Sequence, residues 1–398
     1  MAGLSCLKIV EELDCMTSTT TVYDLSQILN YPIRVEVNRW DSEHPLRWAS
    51  YNDEGQIASG QFLEPPGLPL FTLEDDEGRR LCDALPKAVS AITALMPAMD
   101  FVLAQACAAS AAARELAEDA PLLFILAVDH AREQSWSLER FNAFLAGKRS
   151  DILKAVGLPG SRSLVRLVRR LALSPLLPWE LEDTRAALQN PEYLALMRHH
   201  PHLHVNHLRL LNRVRQPLWP GLLNLVDEHT TAVELSWLCR MIRDSLAMAG
   251  GNEQALAAIH SRETLQAQHD RLVERFNRAN SRNSEEKRQD LAKELSEEHG
   301  DYPKPPLAPI DGIEPLGSWL ELLEEGATMR HCVGSYDVPV ALGEVFIYRM
   351  VQPERLTISL EYQNKTWVVG EVRGVCNSSP SEGALDWIRR WVNTDRKR

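Results

Sequence analysis

The chain has no apolar run long enough to cross a bilayer. Its densest, from Pro121 to Val128, stops at Asp129, far short of the roughly 20 residues a spanning helix needs. No membrane partner is therefore expected. The first ten residues carry one lysine and no apolar core followed by a small-residue cleavage site, so no signal peptide is read there and a cytoplasmic location is expected. Paired cysteines are also missing. Cys6, Cys15, Cys82, Cys107, Cys239, Cys332 and Cys376 are odd in number, scattered and without a CxxC, which argues against a disulfide framework and against a zinc ribbon. There is no Walker A loop, no GxGxxG after a strand, no GxSxG and no HExxH. These absences set aside the familiar nucleotide enzymes and leave no cofactor expected. No self-similar period of about 20 to 50 residues recurs, so a helical solenoid is not read.

What is present is the balance of a globular chain, 44% hydrophobic and 25% charged over 398 residues, long enough for two or three packed units. The net charge of -12 disfavours nonspecific nucleic-acid binding by the whole molecule and leaves only a local basic patch for it. The fold class expected is α+β: a mainly helical scaffold with a small N-terminal sheet and a C-terminal helix-three-strand-helix module.

Residues 1–80 read as a small α+β region, in which Ile33, Val35 and Val37 alternate with polar residues and Asn52-Asp53-Glu54-Gly55 marks a turn. Residues 81–300 read as helical scaffold, with an Ala-rich stretch at 108–113 and breaks at Gly157-Leu158-Pro159-Gly160 and at Pro175 and Pro178. Within it Leu256, Ile259, Leu265, Leu272 and Phe276 recur at helical spacing in a strongly charged stretch, giving one long helix or two. Residues 301–312, holding Pro303, Pro305, Pro306 and Pro309, read as a stiff linker and the main domain boundary.

Residues 313–398 form the module. Leu316, Leu320, Leu323 and Ala327 fall on one helical face. Three strands follow, at 345–350, 356–362 and 367–375; in the second, Leu356, Ile358, Leu360 and Tyr362 alternate with Thr357, Ser359 and Glu361. Gln363-Asn364-Lys365 supplies a turn, and residues 381–392 read as an amphipathic helix with Leu385, Ile388 and Val392 inward.

Met329-Arg330-His331-Cys332-Val333-Gly334-Ser335-Tyr336, then Gly343-Glu344, then Thr357-Ile358-Ser359-Leu360-Glu361, then Arg373-Gly374-Val375-Cys376-Asn377 resemble the core pattern of the PcfJ-like family, proteins often found on conjugative plasmids and other mobile elements. The resemblance covers roughly a fifth of the chain, and several motifs in order are more specific than one alone. It implies a shared fold and an association with mobile DNA. One departure is that the family pattern favours an amide side chain two residues before the arginine, where this chain has Glu371.

The candidate catalytic residues are His331 and Cys332, because a thiol near an imidazolium or a helix N-terminus becomes a nucleophilic thiolate. Against this stands the reading of Cys332 as a small buried residue and His331 as a cap. The candidate ligand-binding residues are Gly334, Ser335 and Tyr336, whose turn could offer backbone amides to an anion or could simply end a helix, with Arg373 and Asn377. The planar fork of Arg373 suits phosphate or carboxylate, or else pairs with Glu361 or Glu371; Asn377 could read a base or hold the loop. His199, His200, His202, His204 and His207 are the densest histidine cluster, but Pro201 interrupts the helix that would align them, and no metal site is expected. Arg162, Arg166, Arg169 and Arg170 form a basic stripe beside an apolar one, either touching phosphates or facing solvent. Arg389, Arg390, Arg396, Lys397 and Arg398 form a second basic cluster with the same two readings. The leading expectation is a module that binds a phosphate-bearing ligand or nucleic acid, with the helical region either positioning it or recruiting a protein partner. The alternative is an enzyme using Cys332 or His331 on a nucleotide or protein.

Overall fold

The computed structural model describes residues 20–26, 30–67, 81–281, 285–363 and 366–395. Cys6, Cys15, Arg396, Lys397, Arg398 and the turn residues Asn364 and Lys365 lie outside these. The chain divides into two compact units: residues to Arg215 with Val226–Thr230, and Gln216–Leu225 with Thr231–Arg398. The fold is mixed α+β.

The first unit opens with an antiparallel meander of β1 (Thr20–Asp24), β2 (Arg34–Asn38), β3 (Trp48–Asn52) and β4 (Gly55–Gly60) in that spatial order. Val35 and Val37 of the alternating run are buried. The expected turn is present, with the Glu54 amide on Asn52 Oδ1 at 2.9 Å and Gly55 at φ 127°, where a side chain would strain. β1 has too short an apolar alternation to be read from sequence alone.

The helices that follow among the described residues include α1 (Lys87–Ala94), α2 (Asp100–Ala109), α3 (Ala111–Asp119), α4 (Pro121–Glu133), α5 (Leu138–Leu145), α6 (Arg149–Ala155), α7 (Arg162–Arg170), α8 (Pro178–Gln189), α9 (Pro191–Met197) and α10 (Val205–Val214). A two-residue parallel pair, β5 (Leu171–Ala172) with β6 (Leu203–His204), lies among them. Proline starts α4, α8 and α9 at a position whose amide needs no partner. Gly157, at φ 82°, closes α6. The dense apolar run is α4, whose Leu122 to Val128 are all fully buried. No single helix among the described residues is long and apolar enough to cross a membrane.

Two expected features of this unit have structural roles. The basic stripe is the solvated face of α7: Leu164, Leu167 and Val168 point inward, Arg169 Nε donates to Asp119 at 2.7 Å, and Arg170 donates to the carbonyls of Arg198 and His200. In the histidine cluster, His204 Nδ1 accepts the Asn206 amide and His207 Nδ1 accepts the His204 amide, reciprocal caps on α10.

The second unit contains α11 (Ala232–Met248), α12 (Arg262–Ser281) and α13 (Glu285–His299), then β7 (Ile313–Pro315), α14 (Trp319–Met329), the five-residue α15 (Asp337–Ala341), β8 (Val345–Met350), β9 (Leu356–Gln363), β10 (Thr366–Arg373) and α16 (Glu382–Asp395). The charged stretch is thus two helices, and Thr231 with Glu234 makes a capping box that starts α11. The sheet is antiparallel in the order β10-β9-β8-β7. Its fourth strand, β7, was not expected: three residues show no readable period.

One sheet face packs on α16, burying Phe346, Tyr348, Met350, Leu356, Ile358 and Leu360 against Ala384, Ile388, Trp391 and Val392. Each such apolar side chain contributes about 1.5–3 kcal/mol. The proline-rich stretch is fastened to this core. Leu307 is buried within it and exchanges backbone hydrogen bonds with the Tyr348 hydroxyl, which accepts from the amide at 3.1 Å and donates to the carbonyl at 2.9 Å.

Two details of the expected periodicity are corrected. The buried stripe of α14 is Trp319, Leu322, Leu323, Gly326 and Met329 rather than Leu320 and Ala327, and it includes Glu325. In β9, Leu356, Ile358 and Leu360 are buried but Tyr362 is exposed. The polar face of β9 does not meet bulk water: Thr357 is buried, and Ser359 and Glu361 are partly covered.

Candidate functional site

Three groups of side chains, two of them on the polar face of β9, lie within the second unit. The first centres on Glu325, fully buried on α14. Its carboxylate accepts from Arg349 Nε at 2.9 Å, from Arg355 Nη1 at 2.9 Å and from the Thr357 hydroxyl at 2.5 Å. Burial alone would raise its pKa; the hydrogen bonds from Arg355 and Thr357 outweigh this and hold the carboxyl below its usual range. Because Thr357 Oγ1 donates to Glu325, it must accept from His331 Nε2, 2.9 Å away. The other ring nitrogen, Nδ1, then accepts the Val333 amide at 3.5 Å. His331 is thus a neutral cap with both nitrogens engaged, and burial lowers its pKa to about 4.

His331 opens a short 3-10 turn, Cys332–Ser335, pressed onto α14. The approach requires glycine at two places: a Cβ on Gly326 would sit 2.9 Å from the Gly334 amide nitrogen, and Gly334 itself lies against Leu323. Arg330, left-handed at φ 55°, turns the chain out of the helix. Ser335 Oγ donates to the Cys332 carbonyl at 2.8 Å, tightening the turn.

The second group sits on the far side of that turn. Cys332 Sγ donates to Asp244 Oδ2 at 3.4 Å, and the Tyr336 hydroxyl donates to the same oxygen at 3.1 Å. His269, on α12, completes it: one ligand atom each from Asp244, His269 and Cys332 lie within 4.8 Å of one another. Burial is the main reason the Asp244 carboxyl titrates above its usual range, opposed by His269 and by the two hydrogen bonds. Burial and the Asp244 charge together push the thiol of Cys332 and the phenol of Tyr336 well up. No cation touches the sulfur among these partners.

The third group lies across β9 and β10. Their pairing shifts register between Val369 and Val372, so Gly370 and Glu371 form an irregularity of the kind that re-aims a side chain. A Cβ at Gly370 would collide with Glu361 Oε1 at 2.4 Å. The Glu371 amide donates to Ser359 Oγ at 2.7 Å. Arg373 Nη2 lies 2.9 Å from Glu371 Oε1, and Arg240 Nη2, from α11, lies 3.5 Å from the same oxygen. Arg240 Nη1 is 3.7 Å from Glu361. The charge of Glu371 also acts on Asp244, His331, Cys332 and Tyr336, and so joins this group to the other two.

Of the expected site residues, Cys332 and Tyr336 meet at one carboxylate, His331 turns to Thr357, and Arg373 takes Glu371 as its partner. Asn377, at φ 60°, stands in a short turn after β10 that packs near α14. Sequence reading missed Arg240, Asp244, His269, Glu325, Arg349 and Arg355 as site residues. One signal was available: His269 falls four residues after Leu265 and three before Leu272, on the apolar stripe of its helix, and is itself buried.

These groups define an α+β module in which two helices and a glycine-bound turn press polar side chains onto one face of a four-stranded antiparallel sheet. Residues 244–387 match the family model of PcfJ-like proteins. The match begins at Asp244 and takes in His269, Glu325, the 331–336 turn, Thr357, Glu371, Arg373 and Asn377. No curated protein and no solved structure matches the chain.

Proposed function

We propose that the C-terminal module binds a phosphate-bearing ligand, a nucleotide or nucleic acid, through Arg373 and Arg240, with Asn377 and the 331–336 turn beside them. The resemblance to PcfJ-like proteins suggests a setting in mobile-element or phage-conflict biology. The observation that carries the reading is the convergence of two guanidinium groups on one carboxylate oxygen, Glu371 Oε1, at 2.9 and 3.5 Å. A pair of planar forks aimed at one anionic oxygen is the arrangement that suits a phosphate. Glu371 is partly exposed, so its carboxylate is not sealed in that place. Arg240 Nε adds support, being a buried donor with no hydrogen-bond partner.

The enzyme reading, with Cys332 or His331 acting on a nucleotide or protein, has less behind it. A thiol that donates its proton in a hydrogen bond to a carboxylate is held away from the thiolate form. A neutral imidazole with both nitrogens occupied has no free position for proton transfer.

The test is fluorescence anisotropy with a labelled single-stranded oligonucleotide. Arg373→Ala and Arg240→Ala should each weaken binding about tenfold, ~1.4 kcal/mol, with thermal unfolding near wild type. Unchanged binding in both folded variants, with loss in Arg162→Ala instead, would move the ligand to the basic stripe of α7 and sink the proposal.

A further inference from the structure

We infer that Asp244, His269 and Cys332 form a binding site for a divalent metal ion of the zinc class. The three residues come from α11, α12 and the turn after α14, and their ligand atoms lie within 4.8 Å of one another. The distance between Cys332 Sγ and Asp244 Oδ2 is 3.4 Å. Tetrahedral zinc, with Zn–S near 2.3 Å and Zn–O near 2.0 Å, separates two such ligands by about 3.5 Å. The sulfur and oxygen therefore already stand at coordination spacing, while a neutral S–H to carboxylate contact is a weak reward for burying both groups.

His269 supplies the independent sign. It is 3% exposed, and its Nδ1 is buried without a hydrogen-bond partner. The Asp270 carboxylate is 3.5 Å away. A buried ring nitrogen left without a proper partner calls for an explanation, and a metal ion is one. The surroundings also suit a preformed site. Met248, Leu272, Val273 and Phe276 pack around Cys332, which limits water, and α11 packs closely against α12, which holds two ligands on rigid elements.

The donor set of one carboxylate, one imidazole and one thiolate is borderline-soft, which favours Zn²⁺ over Mg²⁺ or Ca²⁺. Binding converts the Cys332 thiol to a metal-bound thiolate and releases its proton to solvent. Three protein ligands would leave a fourth position for water or a ligand atom; the Tyr336 hydroxyl is 3.1 Å from Asp244 Oδ2. The inference does not depend on Arg240 or Arg373 and can fail or hold without them.

The test uses the full chain, stripped with a chelator and reloaded with Zn²⁺ or Co²⁺. Wild type should take up about one equivalent, and the Co²⁺ form should show the sulfur-to-cobalt charge-transfer band that a thiolate ligand gives. Cys332→Ser should abolish that band. His269→Asn and Asp244→Asn should weaken Zn²⁺ affinity at least about 100-fold, since even residues behind the ligands are worth 10–100-fold. Cys376→Ser, at an exposed cysteine, should leave band and stoichiometry unchanged. A folded wild type that takes up no metal, or a charge-transfer band that survives Cys332→Ser, overturns the inference. If Cys332→Ser unfolds, site-resolved alkylation of the wild type decides instead: Zn²⁺ should protect Cys332 and not Cys376, and no protection of Cys332 overturns the inference.

Discussion

The thiol of Cys332 donates to the carboxylate of Asp244 at 3.4 Å, across 88 residues of chain. The contact brings the 331–336 turn to α11, and it determines how the cysteine reacts. Adjacent to an anion rather than a cation, the sulfur keeps its proton. In metal-free native protein at pH 8, Cys332 should be alkylated at least about tenfold more slowly than the exposed Cys376. Site-resolved mass spectrometry after iodoacetamide reads both sites at once. Equal rates would mean an accessible thiolate and would return the nucleophile reading to the front.

Glu325 binds the first group of the site together. It is fully buried and receives Arg349, Arg355 and Thr357. Glu325→Gln keeps the shape and removes the charge, leaving Arg355 without its carboxylate and Arg349 with only Glu314, 3.4 Å away. The expected loss is about 3 kcal/mol, toward the lower part of the range for broken buried pairs because both arginines reach water. A urea midpoint shifted down at unchanged slope would show this; a midpoint within error of wild type would mean the arginines find other partners.

Much of the sheet is legible in the sequence because its signals are local. The alternation expected over 356–362 and the amphipathic run expected over 381–392 each fall on one element, β9 (Leu356–Gln363) and α16 (Glu382–Asp395), with Tyr362 the exception to the buried face. The site was less legible, for a physical reason. Asp244 and His269 are separated from Cys332 along the chain by the whole of α13 and α14, and no spacing rule connects them. Glu325 reads as an ordinary charged residue until Arg355 and Thr357 are placed beside it by the strand register. That the polar face of β9 is covered could not be read, because alternation says which residues share a side, not what covers that side.

Gly326 tests how tightly the turn is held. A methyl there would meet the Gly334 nitrogen at 2.9 Å and the His331 carbonyl at 3.2 Å, both backbone atoms. Gly326→Ala should lower stability by about 2–3 kcal/mol through overpacking and weaken the contacts of Cys332 and Tyr336 with Asp244. Gly383→Ala, in α16 with nothing within 4 Å, should instead raise stability by about 0.5–1 kcal/mol. Thermal unfolding of the two variants should move in opposite directions; a neutral Gly326→Ala would show that the turn is free to shift.

In the first unit, His207 sets a pH dependence. Burial lowers its pKa from 6.5 to about 4; the His204 carbonyl, 3.0 Å from Nδ1 and able to accept from a protonated ring, and the Asp227 charge oppose this, and the His200 and His204 charges reinforce it. The unfolded chain takes up a proton near pH 6.5 while the folded one does not until near pH 4. The stability from keeping this ring neutral is therefore full above about pH 6.5 and lost as pH falls from there to about 4. His207→Gln keeps a side-chain acceptor for the α10 cap and removes the titration. Between pH 6.5 and 4 its unfolding free energy should fall less steeply than wild type, by up to one proton's worth of slope. Parallel slopes would place the titration elsewhere.

Glu371 bears most directly on the proposed ligand binding. It stands at the oxygen position on which Arg240 and Arg373 converge, and it departs from the amide that the PcfJ-like pattern favours there. If it is a stand-in for a ligand oxygen, the two arginines are partly neutralised until it moves. Glu371→Gln removes the competing charge without changing the size of the side chain, and an amide can donate to a phosphate where a carboxylate repels it. Affinity for the labelled oligonucleotide should rise, about three- to tenfold at low salt. The dependence on salt should steepen, because two more fully exposed positive charges release counterions on binding. Weaker binding in a folded Glu371→Gln would mean that the carboxylate orients Arg373 rather than occupying the ligand's place, and the arginine would then work only when held by its own partner.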